Sequence, residues 1–442
     1  MTPRPQSLAP LRFPAFRRLA SGRLITMLGN AVAPIALAFA VLDLTGSAGD
    51  LGLVVGARSL LNVIFLLIGG VVADRLPRQL VMVVSGVVAA ATQATVATMV
   101  LSGTATIGWL MALSAINGTA TAFALPASSA LLPQTVPGSM LQQANALNRI
   151  GINVAMICGA SLGGILVAGV GPGWGLAVDA ATFALASLIF SMVRTTAAPR
   201  VKAEGSNLLR DLHEGWREFT GRTWLWSVVL GFTVLNCAHA AAIGVLGPVV
   251  ADETVGRRVW GFVLAAETLG MVLGALVALR LRVNRLLRLG VICMLSEMPL
   301  FIAMAEAPRV ALLIPAALAA GFGIEQFGIA WESTMQRNIP DELLSRVYSY
   351  DMLGSFLAIP LGQVLAGPAA LAWGTQTTIL VAAGVSVAAV LFMLAFREVR
   401  TLPASPPGVR TPSPASELDQ RVAEEVRDEV DEEEAEEHHV RR

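Results

Sequence analysis

The chain has 442 residues, of which 55% are hydrophobic and only 14% are charged. Soluble domains carry roughly 25% charged residues, so this composition excludes an ordinary water-soluble domain and indicates that most of the outer surface meets lipid. The net charge of zero hides an asymmetry, because residues 1–402 carry a net charge of +7 and residues 403–442 a net charge of −7.

Apolar runs recur along the chain at the length that a membrane span requires, which is about 20 mainly apolar residues. They predict an all-α membrane protein with twelve transmembrane helices. We number these helices α1 to α12 in chain order, with predicted ranges 16–42, 50–72, 79–101, 106–126, 144–169, 174–193, 224–249, 258–280, 286–305, 309–331, 345–367 and 373–396. An even number of spans places both termini on one side of the membrane.

The placement of arginine predicts which side that is, since cytoplasmic loops are enriched in Lys and Arg. Four connections, at 43–50, 102–106, 170–173 and 368–372, contain neither residue. The connections on the opposite side carry many basic residues, including Arg75, Arg78, Arg200, Arg217, Arg280 and Arg285. We therefore expect a multi-pass plasma-membrane protein with both termini in the cytoplasm and no secretory signal.

The predicted segments are a basic N-terminus (1–15), an N-terminal half (16–193), a cytoplasmic linker (194–223), a C-terminal half (224–397) and a tail (398–442). The linker can form an amphipathic helix with one apolar stripe, made of Leu209, Leu212, Trp216 and Phe219. The tail is Pro-rich and then acidic, which favours a solvated, mostly disordered segment. A solubilising role and a docking role both remain open for it.

The two halves repeat weakly, which predicts pseudo-symmetry. At an offset of 203 the start of α5 matches the start of α11, with Gly151 opposite Gly354. At an offset of 209, α2 matches α8, with Gly52 opposite Gly261. Paired repeats of this kind are typical of secondary transporters, whose substrate site lies between the halves near the midplane.

One loop carries the strongest motif, Gly70-Val-Val-Ala-Asp74-Arg75-Leu-Pro77-Arg78 after α2. The glycine allows close helix approach, and the aspartate can face the positive N-terminal end of α11. The string resembles the signature G-x-x-x-D-R-x-G-R of the major facilitator superfamily, with proline at the second glycine. The resemblance implies a cytoplasmic gate, to which we assign Gly70, Asp74, Arg75, Arg78, Glu332 and Arg346. The alternative is an ordinary positively charged cytoplasmic loop.

Longer strings resemble one branch of that superfamily, the branch of enterobactin exporters and macrolide-type drug-efflux proteins. They are PASSALLPQTVPGSMLQQANAL, GASLGGILVAGVGPGWGLAVDAATFALAS, AWESTMQRNIPDELLSRVYSYDMLGS and PLGQVLAGP. The resemblance covers about residues 12–400 and excludes the acidic tail. It implies the twelve-helix major facilitator fold and proton-coupled export of a small, often amphipathic molecule by alternating access.

Small residues in α5 resemble the antiporter signature G-P-x-x-G-G, with alanine in place of proline. We expect the glycines of this stretch, Gly159, Gly163 and Gly164, to allow tight contact across the interface between the halves. Drug antiporters usually carry a relay arginine in α4, four residues before a glycine. Counted back from Gly118, that position is Ser114 here. Proton coupling would therefore use other groups.

Ionisable residues at membrane depth are costly and are candidates for function. Helices α1, α4, α7 and α10 line the cavity in the fold that the resemblance implies, and they carry His239 on α7 and Glu325 on α10. Glu325 shares a face with Gly321 and Gly328, and we expect it to be the principal protonation site, with His239 a possible second. The alternative for His239 is a structural histidine bonded near Asn236.

Further candidates for proton or substrate binding lie in both halves. Arg58 in α2 and Glu267 in α8 occupy matching repeat positions, where the alternative role is charge balance between helices. Asn30 in α1 completes the set. Glu297 lies in α9, which is peripheral in the fold that the resemblance implies, so it is a weaker candidate. We place Asp179 at the start of α6 as a helix-start residue.

Other functional classes fit the sequence less well. With Lys202 as its one lysine, the chain has no G-x-x-x-x-G-K-[ST] loop, and neither H-E-x-x-H nor C-x-x-C is present. Cys158, Cys237 and Cys293 lie in apolar runs and read as small hydrophobic residues. We therefore expect no enzyme activity, cofactor, metal or nucleic-acid partner. The expected partners are a small-molecule substrate, protons and the lipid bilayer, and the expected oligomeric state is a monomer. An importer on the same fold and a non-transporting membrane sensor or interaction protein remain alternatives.

Overall fold

The computed structural model describes residues 6–137, 140–193, 216–278, 280–281 and 283–403, with some side chains, among them those of 67–75 and 344–346, outside the description. The predicted all-α architecture is confirmed, with twelve helices in the described part of the chain long and apolar enough to cross a membrane. Their bounds, in order from α1 to α12, are Pro14–Thr45, Ala48–Arg75, Arg78–Leu101, Ile107–Leu131, Leu141–Val170, Pro172–Ser191, Thr223–Glu253, Arg257–Ala278, Leu286–Glu306, Val310–Asn338, Asp341–Leu357 continued by Ile359–Trp373, and Thr375–Ala395.

Several helices run past the apolar stretches that predicted them. Helix α10 extends to Asn338, beyond the predicted end at residue 331, because polar residues continue the helix outside the apolar segment. Helix α11 ends at Trp373, not at residue 367, because the helix tolerates Pro368 in its interior. The predicted loop 368–372 is therefore wrong. A single residue, Gly374, joins α11 to α12 with a φ of +84°.

The pseudo-symmetry expected from the repeats is visible in how the helices are joined. Gly171 joins α5 to α6 with φ +94° and ψ 164°, and Gly374 joins α11 to α12 with φ +84° and ψ 152°. The two positions are separated by the offset of 203 residues found in the sequence. Both need a positive φ, which glycine adopts without steric cost. We call this end of the bundle the Gly171 end, and the opposite end the Arg78 end.

Helix packing repeats in the same way. In the N-terminal half α1 packs on α5 and α6, while α2 packs on α4 and α3 on α6. Six helices further on, α7 packs on α11 and α12, while α8 packs on α10 and α9 on α12. The halves meet where α5 packs on α8 and α2 packs on α11. These two interfaces are themselves related by the repeat.

Among the described residues, the larger clusters of buried apolar side chains are one core at the Gly171 end and two separate cores at the Arg78 end. The shared core includes Phe39 of α1, Leu176 of α6, Trp260 of α8 and Phe301 of α9, and so it spans both halves. At the Arg78 end, the cluster around Phe16 belongs to the N-terminal half. The cluster of Trp224, Phe327 and Trp331 belongs to the C-terminal half. The apolar cores of the two halves are therefore merged at the Gly171 end and distinct at the Arg78 end.

The predicted amphipathic linker falls mostly outside the described residues. Its last part is helical, and there Trp216 stacks on Phe219 with ring centroids 5.9 Å apart. Both rings also contact Tyr350 of α11, at 5.5 Å and 5.9 Å. The segment 404–442, which includes the acidic run, lies outside the described residues.

Candidate substrate cavity and buried charges

A cavity of about 490 Å³ lies inside the N-terminal half and is closed on one side by α11. Helix α1 contributes Arg23, Thr26, Met27 and Asn30. These positions fall on one stripe of a helix, because residues three and four apart are neighbours on its surface. Three apolar side chains of α11 form the opposite wall, namely Met352, Phe356 and Ile359. The volume lies within the range of about 300–1,000 Å³ usual for small-molecule sites.

Two arginines are the only charged side chains among the described residues that line this cavity, Arg23 of α1 and Arg58 of α2. Arg58 interacts electrostatically with Asp179 of α6, which is 1% exposed. The prediction that Asp179 starts α6 is wrong, because the helix begins at Pro172 and the carboxylate lies two turns further on. It packs against Gly29 of α1, where the absence of a side chain leaves room for it.

Amide side chains supply the polar part of the cavity wall. Asn62 of α2 donates to the carbonyl oxygen of Gly118 at 3.0 Å and to the hydroxyl of Thr121 at 3.2 Å, which fixes α2 against α4. Asn30 also lines the cavity, and among the described residues its Oδ1 is buried without a hydrogen-bond donor. A ligand in the cavity could supply that donor.

A second buried group of charges lies in the C-terminal half. His239 of α7 and Glu297 of α9 form a hydrogen bond between Nδ1 and Oε1. Glu267 of α8, 7% exposed, is close enough to interact electrostatically with both. We call His239, Glu267 and Glu297 the carboxylate–histidine cluster. His239 has 34% of its side chain exposed, whereas Glu297 has 2%, so access to the cluster is through the histidine.

The sequence predicted His239 and Glu267 separately and rated Glu297 as peripheral. The structure brings the three together, with Glu297 at the end of a short 3-10 turn of α9, Met294–Glu297. A 3-10 turn has three residues per turn and so directs its side chains differently from an α-helix. The alternative partner of His239, Asn236, instead donates to the carbonyl oxygen of Ser355 at 2.8 Å.

Glu325 is not an isolated carboxylate in this conformation. Its side chain is 18% exposed and pairs with Arg149 of α5 at 3.4 Å. This ion pair crosses from one half to the other. The sequence did not predict a role for Arg149, which lies in the polar stretch at the start of α5. Two opposite charges on different helices do not by themselves indicate that the helices are in contact there.

The predicted gate is only partly covered by the described side chains. The surroundings of Gly70 and the side chains of Asp74, Arg75 and Arg346 lie outside the description. Arg78 begins α3. These positions stay predictions.

Glu332 has its described partners in its own half. It accepts a hydrogen bond from Gln336 at 2.6 Å and another from the Tyr348 hydroxyl of α11. The bond from Tyr348 ties α10 to α11 at the Arg78 end.

The three glycines of α5 do not share one partner. A Cβ on Gly164 would lie 2.9 Å from the Cα of Gly261, so this glycine does allow α5 and α8 to touch across the halves. Gly159 and Gly163 face α1 of their own half instead, where a Cβ would lie 2.5 Å from the Leu28 carbonyl oxygen and 3.1 Å from the Val32 Cα, respectively. Their expected place at the interface between halves is therefore corrected. Because α1 lies beside α5, two faces of α5 need small residues.

Among the described residues, no group of three or more His, Cys, Asp and Glu side chains could hold a metal ion.

Comparison with known families points to membrane transport. The sequence profile of a family described as transmembrane secretion effector matches residues 5–429. The multidrug efflux pump Tap of Mycolicibacterium fortuitum is 26% identical over 381 residues, which cover 84% of this chain and 91% of Tap. The enterobactin exporter EntS of Escherichia coli O1:K1 is 24% identical over 422 residues, which cover 90% of this chain and 95% of EntS.

Solved structures with the same fold are also transporters. The nucleoside transporter NupG superposes with a TM-score of 0.65 at 17% identity, covering 86% of this chain and 98% of NupG. An inward-facing, occupied bacterial homologue of the human lysosomal transporter Spinster superposes with a TM-score of 0.67 at 15% identity, covering 87% and 97%. At these identities the likeness concerns the fold alone.

Proposed function

Because the chain belongs to the major facilitator superfamily, through its transmembrane secretion effector family, we propose that it exports a small amphipathic molecule by alternating access, coupled to protons. Its fold and its relatives are those of transporters, and its twelve apolar helices are those of a multi-pass plasma-membrane protein. Two efflux proteins among the relatives, Tap and EntS, support the outward direction. A cavity lined by polar and apolar side chains supports an amphipathic substrate.

The proposed orientation puts the Arg78 end in the cytoplasm. Most basic residues of the connections lie at that end, which is the pattern of cytoplasmic loops. With this orientation the arrangement corresponds to an inward-facing state, since the apolar core that the described residues of both halves share lies at the Gly171 end. Export then requires the shared core to open towards the outside while the Arg78 end closes. The Asp74 loop would hold the closed Arg78 end together.

The carboxylate–histidine cluster is the observation that carries proton coupling. Two carboxyls and one imidazole share a low-dielectric site, where an unbalanced charge is costly. The net charge of the cluster is zero only when it holds two titratable protons. They lie either on both carboxyls, or on one carboxyl and the imidazole, which then forms an ion pair with the second carboxylate. Loss of one proton leaves a net negative charge, so the proton affinity of the cluster depends on how much water reaches His239. Alternating access changes that exposure and can therefore couple protons to movement of the halves.

Glu325 remains a second proposed proton site. In this state it pairs with Arg149 of the other half. If rocking of the halves separates the two, Glu325 loses its counter-ion, which is costly for a carboxylate that is mostly buried. Both proposed sites release or bind protons as the halves move, without direct competition with the substrate.

Everted membrane vesicles test this function, because they bring the cytoplasmic side outward. We expect vesicles that contain the protein to accumulate at least one member of a panel of amphipathic fluorescent dyes when the interior is acidic. Accumulation should stop on addition of a protonophore and be absent from vesicles without the protein. Accumulation in right-side-out vesicles alone would show import, and accumulation unaffected by the protonophore would contradict proton coupling.

A further inference from the structure

We propose that the cavity of the N-terminal half is an anion site, in which Arg23 and Arg58 bind the acidic group of the exported molecule. The exported class would then be organic anions with an apolar body. This inference rests on the proposed export function and adds the chemistry of its substrate. It starts from the two arginines, which reach the same cavity from neighbouring helices α1 and α2.

The charges around the cavity do not balance. Asp179 offsets Arg58, with which it interacts from α6. Arg23 has no acidic partner and no hydrogen bond among the described residues, although it lies about nine residues into a membrane-spanning helix. Arg23, Arg58 and Asp179 together leave one positive charge uncompensated. Arg23 is half-buried in the cavity wall. A partly desolvated charge without a partner is costly, and an anion in the cavity would lower that cost.

Two carboxylates of the opposite half, those of Glu325 and Asp351, have other partners in this state. Glu325 pairs with Arg149. Asp351 of α11 accepts from Trp331 Nε1 at 3.2 Å and from Ser355, and so it faces α10. None of the described residues that line the cavity is an aspartate or a glutamate. The same wall would repel a cation, so the charge pattern argues against a cationic substrate.

The rest of the wall suits a molecule with a flat apolar body. Phe183 of α6 and Phe356 of α11 provide aromatic surface, and Met27 and Met352 provide flexible apolar surface. Asn30 adds an unpaired acceptor that selects for a hydroxyl or amine donor on the ligand. A guanidinium binds a carboxylate or sulfonate through two parallel hydrogen bonds, which fixes the acidic end against α1 and α2.

The anion site and the proposed proton sites occupy separate places. Arg23 and Arg58 lie in the N-terminal half, whereas the carboxylate–histidine cluster lies in the C-terminal half. Substrate and proton therefore need not compete for one group, and coupling would pass through the two conformations. An inside-negative membrane potential also drives an anion outward, which agrees with export.

Three probes with one ring system and different charges test the inference: 2-naphthalenesulfonate, 2-naphthalenesulfonamide and 2-naphthyltrimethylammonium. Their dissociation constants would be measured by titration calorimetry on the purified full chain in detergent. We expect the sulfonate to bind at least about tenfold more tightly than the sulfonamide, as for a charge-assisted hydrogen bond, and the ammonium to bind weakest. Equal binding of the three probes, no binding of the sulfonate, or preference for the ammonium would overturn the anion site.

Variants locate the binding. Arg23→Gln should weaken sulfonate binding about tenfold and leave sulfonamide binding unchanged, while Arg23→Lys should fall between, because it keeps the charge and loses the paired donors. Arg58→Gln provides a second variant if Arg23→Gln does not fold, as judged by gel filtration and thermal unfolding. The matched control is Arg288→Gln, which removes an exposed charge of α9 outside the cavity. Unchanged sulfonate binding in folded Arg23→Gln and Arg58→Gln would overturn the assignment.

The binding test separates this inference from the proposed function. Arginine-dependent sulfonate binding without proton-driven export would leave the anion site standing and contradict the transport proposal. Proton-driven export of cations with no sulfonate binding would support the transport proposal and overturn the anion site.

Discussion

Arg257 of α8 pairs through both of its terminal nitrogens with the carboxylate of Asp43 in α1, and this contact joins the two halves at the Gly171 end. Its Nε donates to Asp252 of α7 at 2.8 Å, so one guanidinium holds three helices. The guanidinium also lies 4.8 Å from the ring centre of Phe39, over its face. The contacts with Asp43 and Phe39 cross between the halves and cannot persist when the halves separate at this end, whereas the contact with Asp252 lies within the C-terminal half. We therefore expect the Arg257–Asp43 pair to favour the state described here.

The first prediction concerns Asp43→Asn. Removing the carboxylate should shift the equilibrium towards the state open at the Gly171 end by up to about fivefold, since a partly exposed ion pair contributes roughly 0.2–1 kcal/mol. The measurement is the distance distribution between spin labels on Thr45→Cys and Arg309→Cys, both exposed at this end in opposite halves. The three native cysteines would first be replaced. The control is Glu253→Gln, which removes an exposed acid beside Asp252. An identical distance distribution in the parent protein, Asp43→Asn and Glu253→Gln would show that the Arg257–Asp43 pair does not bias the conformation.

A second prediction concerns the contact between Gly164 and Gly261. Gly164→Val should force α5 and α8 apart, because even a Cβ at this position meets backbone atoms of α8 at 2.9–3.1 Å. We expect loss of transport and a longer distance between the same two labels. Gly169→Val is the matched control on the same helix, where nothing lies within 4 Å of an added Cβ. Normal transport by Gly164→Val would argue against close contact of the halves in the cycle.

How far the sequence predicts this molecule depends on the kind of feature. Helix number and order follow from apolar runs, which report burial in lipid directly. Helix ends are predicted less accurately. Helix α11 continues through Pro368, because a membrane-buried helix tolerates proline when neighbouring helices satisfy the freed backbone groups. The Arg58–Asp179 and His239–Glu297 contacts escape the sequence for another reason. Each joins helices far apart in the chain, and the side-chain direction at Glu297 depends on a 3-10 turn that no periodicity reveals.

The third prediction concerns the loop after α2. Asp74→Asn should impair transport without preventing membrane insertion, because the carboxylate is expected to stabilise the state closed at the Arg78 end by roughly 0.3–2 kcal/mol through the N-terminal end of α11. Turnover would be compared at equal membrane expression. Asp50→Asn removes an acid from the other end of the same helix and serves as the control. Wild-type turnover by Asp74→Asn would remove the loop from the gate.

The fourth prediction concerns the tail. Deletion of residues 403–442 should leave folding and transport near normal, because the segment lacks apolar periodicity and carries 12 acidic against 5 basic residues. Thermal unfolding and transport of the purified truncated protein would be compared with those of the full chain. A monodisperse truncated protein that no longer transports would assign the tail a role in the cycle.

The most direct measurement of proton-coupled export compares two modes of transport in proteoliposomes, using the dye that everted vesicles accumulate. One mode is accumulation driven by an imposed pH gradient, and the other is exchange of dye at equal pH. We predict that Glu297→Gln abolishes the first and keeps the second, because His239, the exposed member of the cluster, loses the carboxylate to which it is bonded, while the halves still move. Glu306→Gln, an exposed acid on the same helix, should keep both modes, and Glu325→Gln reports in the same way on the second proton site. Gradient-driven accumulation that survives at the wild-type rate in both Glu297→Gln and Glu325→Gln, or wild-type accumulation that ignores the pH gradient, would contradict proton coupling through these residues.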